Sequence, residues 1–167
     1  SPQIALSVLL GLATGALSLI IAITAFPVFR QYDDALALSF VALASVSLAV
    51  AAVEQISVMS MLSLSEAYAK ASAAEQGHFQ ALRIVVASSR NWSHCIGLIF
   101  AGSTFFALYT VLYRFALFPR VLASFGLGAV FLQLIVVATP PFGYGVVFLL
   151  LAPQGFSPWF CHLWLFI

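Results

Sequence analysis

The chain has 167 residues, 63% of them hydrophobic and 7% charged, with a mean hydropathy of +1.13; a soluble domain carries about 25% charged residues. Six Lys/Arg, five Asp/Glu and three His cannot coat a water-soluble fold of this size, which excludes a soluble globular enzyme and makes lipid the surrounding medium. A net charge of +1 without a basic cluster argues against nucleic acid as a partner, since nothing neutralises several phosphates.

Segment A is the uncharged run Ile4 to Phe29, closed by Arg30, Tyr32, Asp33 and Asp34. It is too long for a signal peptide and lacks the basic leader. Segment B runs from Ala35 to about Ser65, interrupted by Glu54 and Gln55. The polar stretch Glu66 to Asn91 follows. Ser65 offers a helix cap, Glu66 and Lys70 are spaced i, i+4, and Phe79, Leu82, Val85 and Val86 recur at helical spacing opposite Gln80, Arg83 and Ser88. Two readings fit: an amphipathic helix on the membrane surface, or extensions of the flanking segments into water.

Segment C is Trp92 to Tyr113, and segment D is Val121 to Thr139, ended by Pro140 and Pro141. Between Pro140 and Ser157, Pro153 and the glycines Gly143, Gly145 and Gly155 surround an apolar core, Val146 to Leu151, that is too short to span. An interfacial or re-entrant loop is expected there. Segment E begins near Pro158 and reaches Ile167, about half a crossing. Roughly 20 residues of helix cross about 30 Å of hydrocarbon, and open strands would leave unpaired amides in lipid. The expected fold is therefore all-α: an integral membrane helix bundle, a single domain over residues 1–167, with about five transmembrane helices, the last incomplete. The chain reads as a piece of a longer one, continuing after Ile167 and preceded by a helix or more before Ser1.

Arg30, Arg114 and Arg120 occupy the A/B and C/D turns, against Lys70, Arg83 and Arg90 on the opposite side. The first set sits in short turns beside helix ends, where the positive-inside bias acts most strongly, so that side is read as cytoplasmic.

The C/D connection Leu112-Tyr113-Arg114-Phe115-Ala116-Leu117-Phe118-Pro119-Arg120-Val121-Leu122 resembles the Tyr-Arg-Ser-Gly-Tyr-Leu-Pro-Arg-x-Leu-Gly signature of a bacterial multi-pass membrane family known as domain of unknown function 4386. Phe26-Pro27-Val28-Phe29-Arg30-Gln31-Tyr32, followed by Ala35-Leu36-Ala37-Leu38, is similar to that family's Tyr-Pro-x-x-Arg turn and Leu-Ala-Leu helix start. Leu163-Trp164-Leu165-Phe166 resembles its closing Leu-Trp-Leu-Leu. The chain departs from the pattern where Ala44 and Ser47 replace an Arg-x-x-Glu pair, where Phe115-Ala116 replaces Ser-Gly, and where Ala123 replaces Gly. The resemblance implies a bacterial inner membrane, a helix or more upstream and no particular activity.

At the basic turn, Arg30, Tyr32, Tyr113, Arg114, Pro119 and Arg120 form an expected interfacial anchor. Guanidinium groups meet lipid phosphate, Tyr113 and Phe118 sit at headgroup level, and Pro119 stops the preceding helix. A docking surface for a cytoplasmic partner is the alternative. Counting inward from this end places Glu54, Gln55, Arg90, His94, Gln133 and His162 in one candidate polar layer near the outer leaflet. Such a layer fixes helix register through a pairing of Glu54 with His94 or Arg90, binds a polar headgroup or proton-coupled solute, or serves as a catalytic Glu/His pair. No serine or cysteine motif supports catalysis, so no catalytic residue is assigned.

Cys95 and Cys161 adjoin His94 and His162 at one predicted depth and form a possible disulfide. A metal site is not assigned, because neighbours on one helix diverge by about 100 degrees. No cofactor is specified. Gly11-x-x-x-Gly15 and Ser124-x-x-x-Gly128 suggest close helix contacts within the bundle or to another subunit. The leading expectation is a non-catalytic accessory or scaffold subunit packing against lipid, other membrane proteins or a second copy. A small transporter or ligand-binding bundle using the polar layer is the alternative, and an intramembrane enzyme the third.

Overall fold

The computed structural model describes residues 2–72, 76–144 and 148–156. Four helices follow in order: α1 (Pro2–Arg30), α2 (Asp34–Lys70), α3 (Gln76–Arg114) and α4 (Arg120–Val137). All four belong to stretches long and apolar enough to cross a membrane, and no strand occurs among the described residues. Segment E, with Cys161, His162 and the Leu163–Phe166 motif, lies outside the described residues.

The polar connection is built from extensions of two long helices rather than a separate surface helix. α2 runs through Ser65 to Lys70, so Ser65 is a helix-interior residue and not a cap. With 37 and 39 residues, α2 and α3 measure roughly 55 and 58 Å at about 1.5 Å per residue. Both exceed the ~30 Å hydrocarbon core. Tyr68 and Phe79 meet edge to face at 6.4 Å near the far end of this antiparallel pair.

Each helix packs mainly on its chain neighbour: α1 on α2, α2 on α3, α3 on α4. In lipid, helices associate through close packing rather than exclusion from water, so small residues mark the contacts. Ala22 and Phe29 of α1, Ala37, Phe40 and Ala44 of α2, and Ala107 and Val111 of α3 form one buried cluster, with the Phe29 and Phe40 rings 5.7 Å apart. Gly11 and Gly15 both face α2. A Cβ on Gly11 would lie 2.8 Å from Gln55 Nε2, and one on Gly15 would lie 2.9 Å from Leu48 Cδ1.

On α4 the close approach is made by Gly126, where a Cβ would fall 2.5 Å from the buried Tyr109 ring. Gly128 faces open space and Ser124 is exposed, so this small-residue pair points away from the observed contact. After α4 come two short 3₁₀ turns, η1 (Pro140–Phe142) and η2 (Phe148–Leu151), the second packing back on α4.

Candidate functional site

α2 and α3 are antiparallel, and three polar or close contacts mark their shared face. Nearest mid-span, Ser47 Oγ lies 3.4 Å from Thr104 Oγ1. Next, Val50 packs against Gly97, with 3.6 Å to the position of an added Cβ. Further along, Glu54 meets α3 where Arg90 and His94, spaced i, i+4, share one face. His94 Nδ1 lies 3.0 Å from Glu54 Oε1, and Arg90 Nη2 lies 3.8 Å from the same oxygen. The Glu54 side chain is 17% exposed, against 42% for Arg90 and 50% for His94. A mostly covered carboxylate is thus faced by two groups that remain open to the surroundings.

The rest of the candidate layer disperses. Gln55, one residue from Glu54, turns to α1 and packs over Gly11; consecutive helical side chains diverge by about 100 degrees. Gln133 lies on the α3 side of α4, where its Nε2 donates to the Leu98 carbonyl at 3.4 Å, one turn deeper than His94. Its Oε1 is buried without a hydrogen-bond partner among the described residues. Cys95 is half-buried, with no disulfide partner among the described residues, and it lines a notch away from the Glu54 face. His162 and Cys161 fall outside the described residues, and so does the disulfide. No group of three or more His, Cys, Asp or Glu able to hold a metal occurs among the described residues.

The opposite end of the bundle holds a second polar assembly, centred on a residue absent from the predicted set. Asp33, in extended conformation, caps α2 by accepting from the amides of Ala35 and Leu36 through Oδ1. Its Oδ2 accepts from Arg114 Nη1 at 2.9 Å. The Arg114 guanidinium also lies 5.5 Å from the Phe115 ring centroid, and that ring stacks on Tyr32 at 4.9 Å. Arg30 pairs with Asp34 at 2.9 Å on the exposed rim. Tyr113 and Arg120 are exposed, and Pro119 precedes α4. Phe118, in the same turn, is buried in the protein. Asp33 had a sequence signal, an acidic residue just before an apolar run; its pairing with Arg114 required the registry of α2 against α3.

A model of the family described as Domain of unknown function (DUF4386) matches residues 2–167. The chain belongs to this family. No curated protein and no solved structure matches it. The two internal stretches that carry the DUF4386 likeness, Phe26–Tyr32 and Leu112–Leu122, are the turns joined here by Tyr32 on Phe115, with Arg114 reaching the adjoining Asp33. DUF4386 membership therefore coincides, in this chain, with a built junction between two turns.

Proposed function

We propose that this DUF4386 protein is a non-catalytic accessory or scaffold subunit, a single helical domain that binds other membrane proteins, lipid or a second copy through its helix faces. The bacterial inner membrane is its place, with the Arg30 and Arg114 to Arg120 turns on the cytoplasmic side. One observation carries the reading. Between α1, α2 and α3 runs an open groove of about 830 Å³ whose walls include Val8, Leu12, Ile56, Met59, Leu82 and Val86. The hydroxyls of Ser60 and Ser63 on the same wall are turned onto the carbonyls of Ile56 and Met59, which leaves the groove, apart from Gln55 beside Gly11, an apolar face that fits a further helix.

A photo-crosslinking residue at Ser63 in native membranes tests this. The expected product is a discrete protein adduct that disappears when Ser60→Phe fills the groove. Adducts with lipid alone would turn the reading away from protein partners. For sidedness, a cysteine at Tyr32 should react with an impermeant maleimide only after the membrane is opened.

The Glu54 geometry favours a second reading, a small transporter or ligand-binding bundle in which Glu54 and His94 hand a proton between them beside Arg90. Proteoliposomes loaded with a pH-sensitive dye and screened with small polar solutes test it. A solute-dependent proton flux lost in Glu54→Gln supports this reading, and a flux indifferent to that substitution removes Glu54 from it.

A further inference from the structure

α4 ends at Val137 while α3 continues past it, so among the described residues part of α3 has no helix like the one that covers its lower half. The bare face meets the start of the first 3₁₀ turn and forms an open notch of about 490 Å³, lined among others by Arg83, Ser88, Asn91, Trp92, Cys95 and Pro140. The notch stands apart from the Glu54 cluster and from the groove beside α1.

Its chemistry is graded along the helix. Trp92 lies 22 residues from Arg114, about 33 Å along the axis and therefore near the far edge of the ~30 Å hydrocarbon. Tryptophan is enriched at that level because its ring is apolar and its N–H is polar. Cys95 and Pro140 lie on the hydrocarbon side or at the edge, and Pro140 brings no amide to satisfy. Asn91 and Ser88 follow outward with amide and hydroxyl donors, and Arg83, nine residues or about 14 Å beyond Trp92 along the axis, lines the outer rim of the notch, from which its long side chain reaches the headgroup zone by turning back toward the membrane. Arg83 is exposed, no carboxylate lies within 4.0 Å of it among the described residues, and none of the notch-lining residues is acidic. One cation, several neutral donors and an apolar floor below them complement an anionic head on an apolar tail.

We propose that this notch binds one anionic glycerophospholipid, its phosphate held by Arg83 with Asn91 and Ser88 and its upper acyl chain lying on Trp92 and Cys95. The proposal goes beyond the scaffold reading and does not depend on what fills the other groove.

The test uses the full chain with Trp159→Phe and Trp164→Phe, so that Trp92 is the remaining tryptophan. It is reconstituted in phosphatidylcholine vesicles containing a minor share of acyl-brominated lipid, either phosphatidylglycerol or phosphatidylcholine. Brominated phosphatidylglycerol should quench Trp92 with about fivefold higher apparent affinity, the preference expected of one near-surface cation. Arg83→Gln and the notch-filling Ala87→Phe should each abolish the preference, while Lys70→Gln, a cation near the same end, should leave it intact. Equal quenching by both lipids, or a preference that survives Arg83→Gln or falls equally with Lys70→Gln, would overturn the proposal. Inorganic phosphate should not relieve the quenching; relief would show a free-anion site instead of a lipid site.

Discussion

Arg114 donates from Nη1 to Asp33 Oδ2 at 2.9 Å, joining positions 81 residues apart in sequence. The other oxygen of the same carboxylate caps α2, so one side chain both starts a helix and fastens it to the end of another. The two roles can be separated. Asp33→Ala removes both and should cost about 1–2 kcal/mol, mostly from the lost cap. Asp33→Asn keeps a capping oxygen and should cost about 0.5 kcal/mol, the worth of a partly exposed ion pair. Thermal unfolding in detergent measures both; equal losses would assign the tie to the ion pair alone.

Ala116 adopts φ 51° in the turn between α3 and α4, a left-handed conformation that costs an L-residue about 1–2 kcal/mol. Glycine carries no such cost, and it is the residue that the family pattern resembled by this turn places there. Ala116→Gly should raise stability by about 0.5–1 kcal/mol once glycine's extra unfolded-state entropy is subtracted. A lower melting temperature for this variant would contradict the strain.

Gly126 and Gly128 make a contrasting pair. An added methyl at Gly126 meets the buried Tyr109 ring at 2.5 Å, and overpacking of this kind costs about 1–3 kcal/mol. At Gly128 nothing lies within 4 Å, so Gly128→Ala should stay within about 0.5 kcal/mol of the parent. Shrinking the ring position with Tyr109→Leu should relieve Gly126→Ala, seen as non-additivity in the double mutant.

Gln133 is 6% exposed, donates one long hydrogen bond and keeps its buried carbonyl oxygen unpartnered among the described residues. Removing such a half-satisfied amide ends the desolvation cost of its unpartnered oxygen, while the Leu98 carbonyl it gives up lies in the interior of α3, within reach of the helix's own ladder. Gln133→Leu should therefore unfold at the same or a higher temperature. A loss above about 1 kcal/mol would mean that the carbonyl has a bonding partner in the membrane.

The four described spans were readable because an apolar run of sufficient length has one solution in hydrocarbon. Their ends were less so. α2 and α3 continue through Glu66–Lys70 and Gln76–Asn91, where polarity marks where water begins and not where the helix stops. The polar layer was read by depth, and depth brought Glu54, Arg90 and His94 to one level. Depth is blind to rotation about the helix axis, and rotation sends Gln55 to α1 and Gln133 to the Leu98 carbonyl. Depth is equally blind to which side of a turn a ring takes: the neighbouring arginines mark the level of Phe118, and only the packing shows its ring buried in the protein. The Asp33–Arg114 tie depends on which residues of two distant turns come level, and no local pattern encodes that.

α1 leans chiefly on α2, whereas α2 and α3 are joined at the Asp33–Arg114 corner, at Ser47–Thr104 and at Glu54–His94. The hairpin of the second and third helices is thus the keel of the molecule. Among the described helices α1 is made before the pair on which it leans, so its final packing waits on residues synthesised after it, and the order of synthesis runs opposite to the order of dependence.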